Sequence, residues 1–267
     1  MASETCPQNP NIPFVARAIY SDVLKAWARH GLAWLVAVAS IWLLVAPAHA
    51  LPGKSIPTFS AAYNVRYGLL RGAMTLELKQ TETGYSYETS LRPAGLVSWF
   101  KRGVISERTN LLNIEGTIQP VDYFSRDTIA NPVRETTYTF DRQSGRVTGK
   151  YKSQLIDAPM KDIGHNRISV HIGLMLALQS DAKISDFSVF DRGRWKNYQF
   201  DVIDDQRVKT ALGTFDTVEV RYSSQGKDKS WSVHFAPAFD YHPVMLVYRK
   251  GGKVKSRAQL TDYRVDQ

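Results

Sequence analysis

The sequence predicts a mainly β protein, a single antiparallel β-meander curled into a barrel or half-barrel, with one helix at about 166–180 packed against it. Three observations carry that reading: apolar residues recur with a period of two, turn-forming residues separate the repeats at short intervals, and one segment alone switches to helical spacing.

The first strands show the pattern most clearly. Tyr63, Val65 and Tyr67 alternate with Asn64 and Arg66, and Met74, Leu76 and Leu78 alternate with Thr75, Glu77 and Lys79. Between them Gly68 to Gly72 supplies residues that reverse a chain, so the pair reads as a hairpin with one dry and one wet face. The alternation continues at Tyr85, Tyr87 and Thr89, through Val104 to Leu112, and at Tyr138 and Phe140 before the turn Asp141 to Gly145. It returns at Tyr198, Phe200 and Val202, from Phe215 to Tyr222, at Trp231, Val233 and Phe235, and at Val244, Leu246 and Tyr248 before Gly251-Gly252. So many short strands at turn-separated intervals favour an antiparallel sheet that closes or half-closes. The exception is Ile168 to Leu178, where Ile168, Ile172, Met175 and Leu176 fall at helical spacing and Leu174 and Leu178 widen the stripe. Asn166 stands where an N-cap belongs and Ser180-Asp181 marks the end.

Residues 1–50 differ from the rest. Lys25 and Arg29 precede an uncharged run from Leu32 to Ala46, and Pro47-Ala48-His49-Ala50 follows it. A cationic flank, an apolar helix and small residues before a cut are the order of a secretory signal, here with a long n-region and cleavage after Ala50. The rival reading is an inner-membrane anchor over residues 31–47, but such a helix spans about 25 Å against a hydrocarbon core of about 30 Å. The expectation is therefore an exported chain, periplasmic after cleavage, with residues 51–267 forming one domain.

The only cysteine is Cys6, so residues 51–267 contain no thiol and their stability rests on a packed core. The net charge is +9; the leader carries three cations, Arg17, Lys25 and Arg29, against Glu4 and Asp22, which leaves +8 beyond it. The cations are scattered and form no long run. In an exported protein a solubilising basic surface is the expected role, with no nucleic-acid partner.

Catalytic signals are weak throughout. Of the four histidines beyond the leader, His165, His171, His234 and His242, none has metal-ligand spacing, and all read as surface or capping residues. Asp204-Asp205 followed by Gln206 reads as a turn between two strands, and with Asp201 lacks the spacing of a calcium loop. No Gly-x-Ser-x-Gly elbow or phosphate loop occurs, and Gly251-Gly252-Lys253 belongs to a hairpin. The expectation is no enzyme, no metal and no cofactor.

The aromatic residues carry more information. Thirteen tyrosines, most of them at alternating strand positions, would line the inside of a curled sheet. That face is either a filled core or a pocket for a lipid-like or amphipathic ligand, and Tyr63, Tyr67, Trp99, Tyr198 and Trp231 are its candidate ligand-binding residues.

Several stretches together resemble a bacterial exported family known as domain of unknown function 3108. They are Tyr63 to Gly72, Arg92-Pro93-Ala94-Gly95-Leu96, Gln119 to Tyr123, Asn166 to Val170, Asp191-Arg192-Gly193-Arg194 with Tyr198 to Phe200, Gly213 to Val218, and Ala236 to Val244. The resemblance covers nearly all of residues 60–263 and implies export and a β fold, with no activity or catalytic residues to transfer. The resemblance implies that relatives often carry an acidic residue where this chain has Asn166, and either type can cap a helix.

Three functions compete. The first is a non-enzymatic periplasmic module holding a hydrophobic or amphipathic ligand or partner in envelope maintenance, by analogy of shape with half-barrel lipoprotein carriers. The second is a scaffold that docks an envelope protein. The third is a hydrolase of an envelope polymer, for which Asp201, Asp204, Asp205 and Glu219 are the loose candidates. In each, membrane contact is expected only through the signal segment before cleavage.

Overall fold

The computed structural model describes residues 56–100, 102–114, 116–162, 164–184, 187–196, 198–224 and 228–266. The signal expected over residues 1–50, its cleavage after Ala50 and the stretch 31–47 lie outside the described residues. Residues 53–267 form one compact unit.

The meander opens with β1 (Phe59–Tyr67), β2 (Leu70–Thr81) and β3 (Gly84–Ala94), then passes through a short helix α1 (Val97–Phe100) into β4 (Ile105–Ile114). β5 (Thr117–Pro120) folds back on β4, and β6 (Asp122–Asp127), β7 (Arg134–Asp141), β8 (Arg146–Tyr151) and β9 (Gln154–Pro159) extend the sheet. A small three-stranded sheet of β10 (Gly164–Asn166), β11 (Ser188–Asp191) and β12 (Arg194–Lys196) brackets helix α2 (Ser169–Ser180). β13 (Tyr198–Thr210), β14 (Gly213–Ser224), β15 (Lys229–Ala236), β16 (His242–Lys250) and β17 (Lys253–Val265) complete the chain.

β17 pairs antiparallel with β1, so all the long strands join one fourteen-stranded sheet ordered from β13 at one edge to β9 at the other. The sheet curls without closing, which is the half-barrel alternative of the sequence reading. Its inner face follows the expected period of two. Phe59, Ala61 and Tyr63 oppose Leu78, Leu76 and Met74, and Leu78 opposes Tyr87 on the next strand. Tyr123 stacks on Tyr138 with ring centres 5.5 Å apart, and Phe140 opposes Val147. On the other half, Val220, Val233, Phe235, Val244 and Leu260 are each at most 1% exposed.

Local sequence explains the turns. The β1–β2 reversal uses two residues, Gly68 and Leu69, where a looser stretch to Gly72 was expected. Arg192 and Gly193 both have positive φ, 54° and 73°, and join β11 to β12 as the two-residue turn that matches strand twist. The Gly193 N–H donates to Tyr138 Oη at 2.9 Å, and a Cβ there would meet Ile156 at 2.5 Å, so the glycine lets the small sheet dock against β7–β9.

Helix α2 is shorter than expected at its start, which falls at Ser169 and not at Asn166. Asn166 still organises it: its Oδ1 accepts the Ile168 and Ser169 N–H groups, Ser169 Oγ accepts the Asn166 N–H, and Asn166 Nδ2 donates to Thr109 Oγ1 on β4. The helix packs on β5, β10 and β16, with residues buried around most of its circumference, and it fills the end of the half-barrel where β1 and β16 begin. That end is the closed end. At the other, open end lie the β1–β2 turn, helix α1, the β6–β7 loop and the β16–β17 turn.

Two expectations fail here. Asp204-Asp205 is no turn between strands: β13 runs through it, with a bulge between Ile203 and Gln206 and Asp205 at φ 55°. Two adjacent exposed carboxylates disfavour regular pairing, and a short acidic side chain tolerates the left-handed conformation a bulge uses. The histidines are not surface residues either. His165 and His242 are at most 1% exposed and His234 is buried, while His171 is half-buried on α2.

Candidate functional site

The inner face changes character along the barrel. Near the closed end aromatic and aliphatic side chains pack to completion; towards the open end β13–β16 carry an aromatic ladder that stays partly exposed. Tyr222 and Trp231 oppose each other across β14 and β15 and stack with centres 5.7 Å apart and planes 10° apart. Trp231 in turn lies 5.3 Å from Tyr248 and 5.8 Å from Tyr198, and Phe200 extends the ladder 5.4 Å from Tyr222. Tyr222 is buried, whereas Tyr198, Phe200, Trp231 and Tyr248 are half-buried. Burial pushes the Tyr222 phenol up from its ordinary value, so that ring stays neutral over the physiological range.

A charged group lies within electrostatic reach of Tyr222. Arg167 leaves the chain between Asn166 and α2, and its Nε contacts Glu107 Oε1 at 3.2 Å; the Glu107 side chain is 9% exposed and that of Arg167 is 51%. Tyr123 also donates its hydroxyl to Glu107 Oε1. The Glu107 carboxylate holds the Arg167 guanidinium above its ordinary range against the opposing effect of burial, with Tyr123, Asp191 and Tyr222 adding in the same direction. A guanidinium within reach of β4, β6, β11 and β14 together, and still wet, sits across the barrel interior and not on its outside. It has five N–H donors in a planar fork, suited to a carboxylate or phosphate.

The five aromatic residues expected to share a ligand face separate into three places. Tyr198 and Trp231 meet in the ladder. Tyr63 is 1% exposed in the filled core, where its hydroxyl donates to the Pro243 carbonyl at 2.6 Å and lies 2.8 Å from His242 Nε2. Tyr67 is 56% exposed at the end of β1, and Trp99 is 74% exposed on α1. Tyr63 and Tyr67 share strand parity, but four residues along a strand span about 13 Å, enough to pass from the filled end to the rim. Sequence reading missed Arg167, Glu107, Tyr222 and Tyr248. Arg167 carried a usable signal: a cation ahead of an apolar helix sits at the positive end of its dipole, where only another purpose keeps it.

The carboxylates considered for hydrolysis do not share a cleft with this site. Asp201, Asp204 and Asp205 are exposed on β13. Glu219 is on the other face of the sheet from Val220 and Tyr222, 4% exposed, and its Oε1 accepts from Arg221 Nε and Nη2 at 3.1 and 2.9 Å. Burial pushes its carboxyl up, but hydrogen bonds from Ser232 and Arg221 outweigh that and hold it below its ordinary value. His234 lies opposite Glu219 in the ladder of β14 and β15. Ser232 Oγ accepts from Arg249 at 2.7 Å while bonding to Glu219, so its hydroxyl is committed to the carboxylate and not to a histidine base. A groove of about 280 Å³ outside β2–β4 is lined by Glu77, Glu88 and Arg108 among others.

A family model described as "Protein of unknown function (DUF3108)" matches residues 58–255. The chain belongs to that family. Among solved structures, this DUF3108 protein is similar to a β-barrel-like protein of domain of unknown function DUF1849 from Brucella abortus, with TM-score 0.54 and 11% identity over 80% of this chain and 99% of that one. It also matches a candidate lipoprotein from Parabacteroides distasonis at TM-score 0.33 and 10% identity, over 79% of this chain and 96% of that one. No curated protein matches the chain. The first likeness concerns the fold alone.

Proposed function

We propose that this DUF3108 protein is a non-enzymatic, exported envelope module that holds an amphipathic ligand in the open end of its half-barrel. The single observation that supports this reading is the nearness of a wet cation to an aromatic wall: Arg167, its side chain 51% exposed, interacts electrostatically with Tyr222, whose ring stacks on Trp231 beside Tyr198 and Tyr248. Apolar walls with a few placed polar groups are what an amphipathic molecule needs, its chain against the rings and its anionic end on the guanidinium. The leader order of residues 1–50 supports a periplasmic location, and an uncleaved anchor at 31–47 would leave the domain on the same side of the membrane.

Fluorescence of parinaric acid tests the reading, because the probe brightens when its chain leaves water and it carries a carboxylate. Wild-type protein is expected to enhance it saturably, with Trp231→Ala weakening the apparent affinity about tenfold, near 1.4 kcal/mol, and Arg167→Gln weakening it comparably for parinaric acid but not for its methyl ester. No enhancement by folded wild-type protein would overturn the proposal.

A further inference from the structure

Among the described residues, nine of the thirteen exposed large apolar side chains lie at the open end, and the most exposed of them sit on its adjacent turns. Leu69 is 98% exposed in the β1–β2 turn; Leu96, Trp99 and Phe100, on and beside α1, are 75%, 74% and 85% exposed. These turns are neighbours. Arg71 on β2 opposes Ala94 at the end of β3, and Tyr67 opposes Ser256 on β17, where the Gly68 N–H donates to the Lys255 carbonyl at 3.2 Å. The closed end and the outer sheet faces carry no such concentration among the described residues.

Cations are interleaved with the apolar tips. Arg66 and Arg71 bracket Tyr67 to Leu70, Arg92 precedes Leu96, and Lys253 and Lys255 flank Val254; all five cations are exposed, and none enters an ion pair among the described residues. The acidic groups at this end are occupied or few: Asp127 accepts the N–H groups of Ile129 and Ala130, and Glu135 pairs with Arg126, leaving Asp228 near the β16–β17 turn. A soluble domain minimises exposed Leu, Trp and Phe unless something covers them.

We propose that the rim of the open end docks on an anionic lipid bilayer, with Leu69, Leu96, Trp99 and Phe100 entering the headgroup region and the flanking cations resting on phosphates. Separate exposed tips on adjacent turns fit a fluid surface, which needs only depth of insertion and no matching shape. Aromatic and leucine tips flanked by Lys and Arg have the composition of interface-seeking segments. The docking stands independently of the ligand reading, since the tips lie outside the barrel interior. It also departs from the sequence expectation that only the signal segment meets the membrane. If both hold, the open end faces the lipid from which an amphipathic ligand would come.

The test is flotation of the compact unit 53–267, which contains the whole core, with vesicles of phosphatidylcholine alone or with 30% phosphatidylglycerol. Expected is binding to the anionic vesicles that falls sharply in 0.5 M salt, and a loss of at least tenfold in the triple variant Leu69→Ser, Trp99→Ser, Phe100→Ser with thermal unfolding unchanged. Arg66→Glu with Lys253→Glu is expected to weaken binding to anionic vesicles only. Failure of the wild type to float with anionic vesicles, or flotation equal in the triple variant, would overturn the docking. So would a wild-type dimer in sedimentation velocity that the triple variant abolishes, because a second copy would then be what covers the rim. Parinaric acid binding is read separately: a Trp231→Ala variant that floats normally but loses the probe keeps the two proposals distinguishable.

Discussion

Tyr63 illustrates how a side chain that reads as a binding aromatic becomes part of the core. Its single hydroxyl proton goes to the Pro243 carbonyl, so His242 Nε2, 2.8 Å away, must be the protonated ring nitrogen and donate to the tyrosine oxygen. His242 Nδ1 is buried without a hydrogen-bond partner, so the ring is neutral in the folded chain, and burial lowers its pKa from 6.5 to about 3; burial lowers that of His165 to about 4. The folded protein then binds fewer protons than the unfolded chain between those values and 6.5. Stability is full above about pH 6.5 and declines as pH falls, by on the order of 3 kcal/mol for His165 and about 5 kcal/mol for His242 once the folded values are passed. Urea unfolding between pH 7.5 and 5.0 should show this slope, reduced in His165→Leu. A flat profile over that window would contradict the buried-neutral assignment. No sequence pattern marked these rings as buried, because histidine alternates with either face of a strand and its fate depends on what packs over it.

Helix α2 was legible as an element because its apolar spacing stands out from the surrounding period of two, and Asn166 marks its start within three residues. The bulge in β13 and the strands β10–β12 were not. The small strands have three or four residues each, too few for periodicity to register, and they are fixed by the Arg192-Gly193 turn docking on Tyr138 and Ile156. What makes α2 fit the barrel is Gly173: a Cβ there would come within 2.5 Å of His165 Cε1. Alanine improves intrinsic helix propensity by about 1 kcal/mol, but overpacking a ring that has no free space costs about 1–3 kcal/mol. Gly173→Ala should therefore lose up to about 2 kcal/mol in urea unfolding; raised stability would show that the ring can move aside.

In the whole molecule, alternation along single strands announced a curled antiparallel sheet, and the family resemblance is confirmed over residues 58–255. The candidate site was only half legible. Tyr198 and Trp231 were visible as inward aromatics, but Arg167 and Glu107 are 60 residues apart in sequence and meet only through the register of β4 and the placement of α2. The polarity of the barrel, filled at one end and wet at the other, likewise follows from which strand ends α2 covers, and no local pattern encodes that. Native mass spectrometry of the protein isolated from the cell envelope, without detergent, tests whether the wet end is a binding site. The expected spectrum contains protein with a bound amphipath of lipid mass, lost in the double variant Tyr198→Ala, Trp231→Ala. A bare polypeptide mass for the folded wild type would contradict it.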